Sequence, residues 1–186
     1  MGTLIYLTNV SVDGFIEDEH GSFDWTDPDD DLFASITDLV RPVGTFLYGR
    51  RLYEAMSVWE TDPSFAAQSE LMADFAGVWQ AADKIVYSTT LPAVSTAKTR
   101  LERTFDPVSV RDLKASATSD LVIGGAHLAG CAVEAGLVDE FHLLVRPILV
   151  GRGKPALPSD LRVKLELLDE RRLSGGVVSL RYGIPT

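Results

Sequence analysis

The stretch DLVIGGAHLAG, residues 120–130, restricts the architecture more than any other part of the chain. Leu121, Val122 and Ile123 form a short apolar run, Gly124 and Gly125 break it, and Ala126 to Ala135 reads as a helix that Gly136 ends. A strand that turns at once into a helix belongs to a layered α/β arrangement. The two glycines admit two readings on their own. They make a tight turn, or they let the backbone approach a phosphate at the start of a helix.

The same strand-then-helix alternation runs through most of the sequence. TLIYLTNVSVDG reads as a strand into an Asp-Gly turn, and DPDDDLFASITDLVRP as a helix with Leu32, Phe33, Ile36, Leu39 and Val40 at helical spacing. VGTFLYG is a second strand and RRLYEAMSVW a short helix; FAAQSELMADFAGVWQAA is one longer helix with Leu71, Phe75, Val78 and Trp79 on one side. KIVYS is a third strand, RLERTF a fourth, and DPVSVRDLKAS a helix started by Asp106 and Pro107. FHLLVRPILVG reads as a long strand that Pro147 assigns to an edge or a bulge, and the tail alternates around Ser174-Gly175-Gly176 as a β-hairpin. The expected fold is therefore one α/β domain over residues 1–186. It has a central, mostly parallel sheet, helices on both faces and an antiparallel C-terminal hairpin.

Several function classes lose ground. A net charge of −10 argues against a general nucleic-acid binder. No apolar run approaches the roughly 18 residues of a membrane span, and MGTLIYLTNV lacks the features of a secretory signal, so a cytoplasmic setting is expected. The single cysteine, Cys131, allows no internal disulfide or multi-cysteine metal cluster and is expected to be buried and inert. His20, His127 and His142 show no metal spacing; His142 reads as structural, and His127 as a surface or site-lining residue. A nucleophile elbow, a G-x-G-x-x-G fingerprint and a P-loop are all missing.

Ligands on such sheets sit at the carboxyl ends of strands. Four segments fall there: Asp13-Gly14, Gly49-Arg50-Arg51, Ser88-Thr89-Thr90 and Gly124-Gly125. Arginines suit a phosphate held by a planar fork, although Arg50 also stands four residues before Glu54 and would pair with it. The hydroxyls after the third strand either donate to a phosphate or shape a turn. Together the three anion-friendly strand ends suit a dinucleotide with an extra ribose phosphate, NADPH, and a small-molecule substrate.

SVDGFI, GTFLYGRRLYE, KIVYSTTL, the long segment LVIGGAHLAGCAVEAGLVDEFHLLVRPILVGRGKPAL and the terminal GVVSLRY occur in an order that resembles the RibD C-terminal domain family. These are stand-alone bacterial proteins related to dihydrofolate reductase and to the reductase half of the riboflavin-pathway deaminase-reductase. The resemblance implies a dihydrofolate-reductase-like fold, NADPH binding and a homodimer. It carries the cofactor phosphates to Gly49 and Arg50, with Arg51 beside them, the adenosine side to Ser88 and Thr89, and the diphosphate to Gly124, Gly125 and Ala126. Leu52 stands where the family often has Thr, which removes a hydroxyl from that site. At the substrate end Trp25 matches a tryptophan of the mobile loop in dihydrofolate reductases. Asp30 or Asp31 falls near the acid that grips the ring, and Asp13 is a further acidic candidate. Helix capping by Asp29 or Asp30 is the competing role. The implied activity is hydride transfer to a pterin- or pyrimidine-like substrate; the alternative is a nucleotide-binding or regulatory protein without turnover.

Overall fold

A computed structural model describes residues 1–159 and 161–185. In chain order its elements are β1 (Leu4–Ser11), β2 (Phe15–Asp18), α1 (Asp30–Val40), β3 (Val43–Gly49), α2 (Arg50–Met56), α3 (Val58–Thr61), α4 (Pro63–Ala66), α5 (Glu70–Ala81), β4 (Asp83–Tyr87), β5 (Thr99–Glu102), α6 (Pro107–Ser116), β6 (Asp120–Gly124), α7 (Ala126–Glu134), β7 (Glu140–Arg146), β8 (Gly153–Pro155), β9 (Glu166–Arg172) and β10 (Val178–Gly183). Eight strands form one sheet in the order β5-β4-β3-β6-β1-β7-β10-β9. The first six are parallel, and β10 and β9 run antiparallel beside β7.

Alternation in the strands explains why helices cover both faces. Leu4 and Tyr6 of β1 point into one core with Val110 of α6 and Leu128, Ala129 and Ala132 of α7. Ile5 points into the other, with Val40 of α1, Trp59 of α3 and Phe75 and Trp79 of α5. A parallel strand sealed on both sides needs this near-continuous apolar run. The helix starts follow local chemistry: Asp29, Ser69 and Asp106 each accept from backbone N–H groups of the first turn, and Pro107 occupies the start of α6.

Two expectations need correction. The single helix read over 65–82 is two, α4 and α5. Ser69 adopts an extended backbone and its hydroxyl accepts from Met72 N–H at 3.1 Å, so the chain stops and restarts there. The long strand read from Phe141 onwards ends at Arg146, and β7 is interior, flanked by β1 and β10. Pro147 lies just beyond the last ladder pair, Ser11 with Arg146, so its missing N–H breaks no ladder bond. The following segment turns back to place β8 against β2 as a separate two-stranded ribbon. Ala156 anchors it: its carbonyl accepts from the buried Tyr6 hydroxyl at 2.7 Å, and its N–H donates to the Gly14 carbonyl. No helix among the described residues is long and apolar enough to cross a membrane.

Candidate functional site

The register of the three adjacent parallel strands β4, β3 and β6 brings their ends together. Gly49 pairs with Tyr87, and Tyr48 with Gly124, so the turns after all three open on one edge. A cavity of about 380 Å³ lies there. Gly49, Arg50, Arg51, Ser88, Thr89 and Gly125 line it, which unites segments far apart in sequence. Gly125 caps α7 with φ +90° and ψ 117°, a conformation that residues with a Cβ rarely adopt. Gly124 has a different reason: a Cβ there would stand 2.4 Å from Leu52 Cδ2. Leu52 thus packs on the first glycine, while the second sets the turn. Ala126 follows as the first, buried residue of α7, whose opening N–H groups have no intrahelical acceptor.

Positive charge concentrates at this edge of an acidic chain. Arg50 donates from Nε to Glu54 Oε1 at 2.8 Å and from Nη1 to Thr90 Oγ1 at 2.9 Å. Arg51 donates from Nη1 to Glu17 Oε1 at 3.1 Å. Arg50 and Glu54 are both exposed, and ion pairs in such settings contribute only about 0–1 kcal/mol, so a phosphate would compete well for the Arg50 guanidinium; Arg51 is exposed too, but its partner Glu17 is largely buried. Ser88 is committed to the turn, since its Oγ accepts from Thr90 and Leu91 N–H groups at 3.2 and 2.9 Å. Thr89 is exposed at the same edge.

The cavity also holds residues that the sequence did not single out. Arg103 donates to the Leu91 and Ser88 carbonyls at 2.6 and 3.2 Å and so braces the turn after β4. Lys154 of β8 and Phe105 complete the wall, and His127 and Cys131 line it from α7. Cys131 is half-buried at that wall, rather than sealed in the core. Arg103 shows in the sequence only as a charge within RLERTF; Lys154 has no such signal, because the three residues of β8 carry no periodicity.

The acidic candidates are placed elsewhere and line none of this cavity. Asp13 accepts from the Ser11 hydroxyl at 2.6 Å and from the Val150 and Gly151 N–H groups, the latter at 2.6 Å. These bonds, Ser11 foremost, hold its carboxyl down at about 2 and fasten the loop after β7. Asp29 caps α1 and accepts from the Ser174 hydroxyl at 2.7 Å, which lowers its pKa. Asp30 and Asp31 are exposed in the first turn of α1. Trp25 is partly buried, and its Nε1 is shut from solvent without an acceptor among the described residues. His142 is held by Glu140 at 2.9 Å, with burial pushing its pKa down, as suits a structural residue. Among the described residues no group of three or more His, Cys, Asp or Glu could hold a metal ion.

The geometry now meets its relatives. The chain is 30% identical over 184 residues to the uncharacterized protein YyaP of Bacillus subtilis, covering 93% of this chain and 90% of that one. It superposes on RibD of Acinetobacter baumannii with a TM-score of 0.71 at 17% identity, over 100% of this chain and 59% of that one. It also superposes on the dihydrofolate reductase of Enterococcus faecalis, solved with NADP(H), with a TM-score of 0.65 at 13% identity, over 100% of this chain and 98% of the reductase. Residues 3–179 match the RibD C-terminal domain, so the chain belongs to the RibD C-terminal domain family and has the dihydrofolate-reductase-like fold.

Proposed function

We propose that the protein is an NADPH-dependent reductase of a small heterocyclic substrate, pterin- or pyrimidine-like. One observation carries the cofactor half: Arg50, Arg51, Arg103 and Lys154 converge with Gly125 and the start of α7 on one cavity of about 380 Å³. The chain as a whole has a net charge of −10, so this local excess of cations is a recognition feature rather than bulk composition. Family membership and the fold shared with an NADP(H)-bound reductase support the same reading.

These residues fit NADPH in chemistry. The N–H groups that open α7 would take the diphosphate, with Gly125 removing side-chain bulk from the turn. Arg50 would exchange the exposed Glu54 carboxylate, and Arg51 that of the largely buried Glu17, for the ribose phosphate, and Arg103 would keep the 88–92 turn in place beneath it. When bound, the cofactor supplies the hydride, and the protein's part is to orient it and keep water out. Asp13 is a poor proton donor at neutral pH, because its carboxyl titrates near 2 and its oxygens are occupied. That observation also favours the second reading, a nucleotide-binding protein without turnover.

The two are separated by following NADPH absorbance with dihydropterin, pyrimidine and small carbonyl substrates. Substrate-dependent loss of absorbance supports the reductase. Tight NADPH binding with no oxidation across the panel supports the binding protein.

A further inference from the structure

The two arginines that start α2 hold different kinds of partner. Arg50 pairs with Glu54, whose side chain is 46% exposed, so water can take over when the pair opens. Arg51 pairs at 3.1 Å with Glu17 of β2, whose side chain is only 15% exposed. Arg51 also lies over the turn that follows β2: a Cβ at Gly21 would stand 3.1 Å from its Nη2. Drawing Arg51 off to a phosphate would strand a largely buried carboxylate, and a buried charge that loses its partner is costly.

A second cation stands beside that carboxylate. Lys154 is opposite Glu17 in the β2–β8 ribbon. Residues opposite each other in an antiparallel pair carry their side chains on one face, with Cβ atoms about 5 Å apart. The ribbon is held tight there, because a Cβ at Gly153 would overlap the Glu17 carbonyl oxygen. Lys154 and Arg51 line the same cavity. Arg50 bonds to Glu54 and Thr90, Arg51 to Glu17, and Arg103 to backbone carbonyls. Half-buried Lys154 is the one lysine or arginine of that wall with no ion pair or hydrogen bond among the described residues. Arg51 thus occupies the carboxylate that a cross-strand Lys–Glu pair would otherwise take.

We propose that Lys154 is the reserve counter-ion of Glu17. When a ligand phosphate takes Arg51, Lys154 closes on the Glu17 carboxylate, its four-carbon stem letting the ammonium reach across the ribbon. It thereby sets how readily Arg51 is released to the phosphate, as a positioning residue that acts through Glu17. The identity of that phosphate, the ribose phosphate of NADPH, rests on the reductase reading; the exchange of partners at Glu17 does not.

A double-mutant cycle without ligand tests the exchange. Arg51→Met imitates the departure of Arg51. Lys154→Met alone should leave the urea midpoint of the full chain near wild type, since Lys154 has no partner to lose. In the Arg51→Met background the same change should lower the midpoint clearly, because Glu17 then loses both cations. Adding Glu17→Gln should remove that extra loss. Additive effects of Arg51→Met and Lys154→Met overturn the proposal. If the double variant does not fold while each single one does, recovery of folding on adding Glu17→Gln supports the proposal, and no recovery overturns it.

NADPH titration of the same proteins reads the consequence for binding. Lys154→Met should weaken NADPH by about tenfold, and Lys154→Arg should keep most of the wild-type affinity. In the Glu17→Gln background Lys154→Met should change the affinity by less than about twofold. An equal loss in both backgrounds would mean that Lys154 touches the phosphate itself, and overturns the proposal. Failure of the wild type to bind NADPH would contradict the reductase reading alone, because the urea cycle runs without cofactor.

Discussion

The edge formed by β3, β4 and β6 and the end formed by β1 and β7 solve opposite problems. At the first, Arg50 is exposed and held by the exposed carboxylate of Glu54, so it is free to change partners. At the second, polar groups are committed to the fold: Asp13 fastens the 150–151 backbone, Asp29 caps a helix, and Arg146 is buried. Exchangeable charges bind a ligand without disturbing the structure. Committed charges make any ligand contact depend on residues more than a hundred positions apart, such as Asn9 and Arg146.

The sharpest break of this contrast is Gly125→Val. A β-branched residue at φ +90° should cost about 1–3 kcal/mol of stability and abolish NADPH binding, because the opening of α7 moves with it. Thermal melts and an NADPH titration would read both effects. Next comes Arg50→Ala. Loss of a charge-assisted bond should weaken NADPH binding by about 10- to 100-fold, with stability within about 0.5 kcal/mol of wild type, since its pair is exposed. Isothermal calorimetry and urea unfolding check the two halves, and a large loss of stability would mean that the charge is not exchangeable.

A subtler effect is expected at the committed end. The Asp13 pKa is lowered from 3.8 to about 2, so the folded state favours its ionised form. Its stabilisation is fully present above about pH 4 and is lost as pH falls from there through about 2. Asp13→Asn should therefore flatten the urea midpoint against pH in that window, and an unchanged slope would place the carboxylate outside the fold's support. The smallest change is Leu52→Thr. A hydroxyl placed at the arginine-lined edge should tighten NADPH by about fivefold or less in calorimetry.

Legibility in the sequence follows the same divide. The arginine-lined edge is built from short local signals: a strand, a glycine and an arginine or helix start, repeated along parallel strands. Gly49, Arg50, Ser88 and Gly125 could be named because each signal is contained within a few residues. Asp106-Pro107 announced α6 for the same reason. The other end depends on contacts that no local pattern encodes. β8 is three residues long and exists only because β2 lies against it, so Lys154 arrived at the cavity unannounced. In the run of aspartates, composition alone left the cap between Asp29 and Asp30; geometry at the start of α1 chose Asp29. Arg146 did leave a trace, a lone charge inside FHLLVRPILV, but its burial and its bonds to Asn9 and the Thr26 carbonyl depend on contacts far along the chain.

The most direct measurement is a paired calorimetric titration of the wild-type chain with NADPH and NADH. The arginine-lined cavity predicts that NADPH binds more tightly by at least about tenfold, the difference of one charge-assisted phosphate contact, and that Arg50→Ala removes most of that preference. Equal affinities for the two cofactors, or no binding of either, would contradict it.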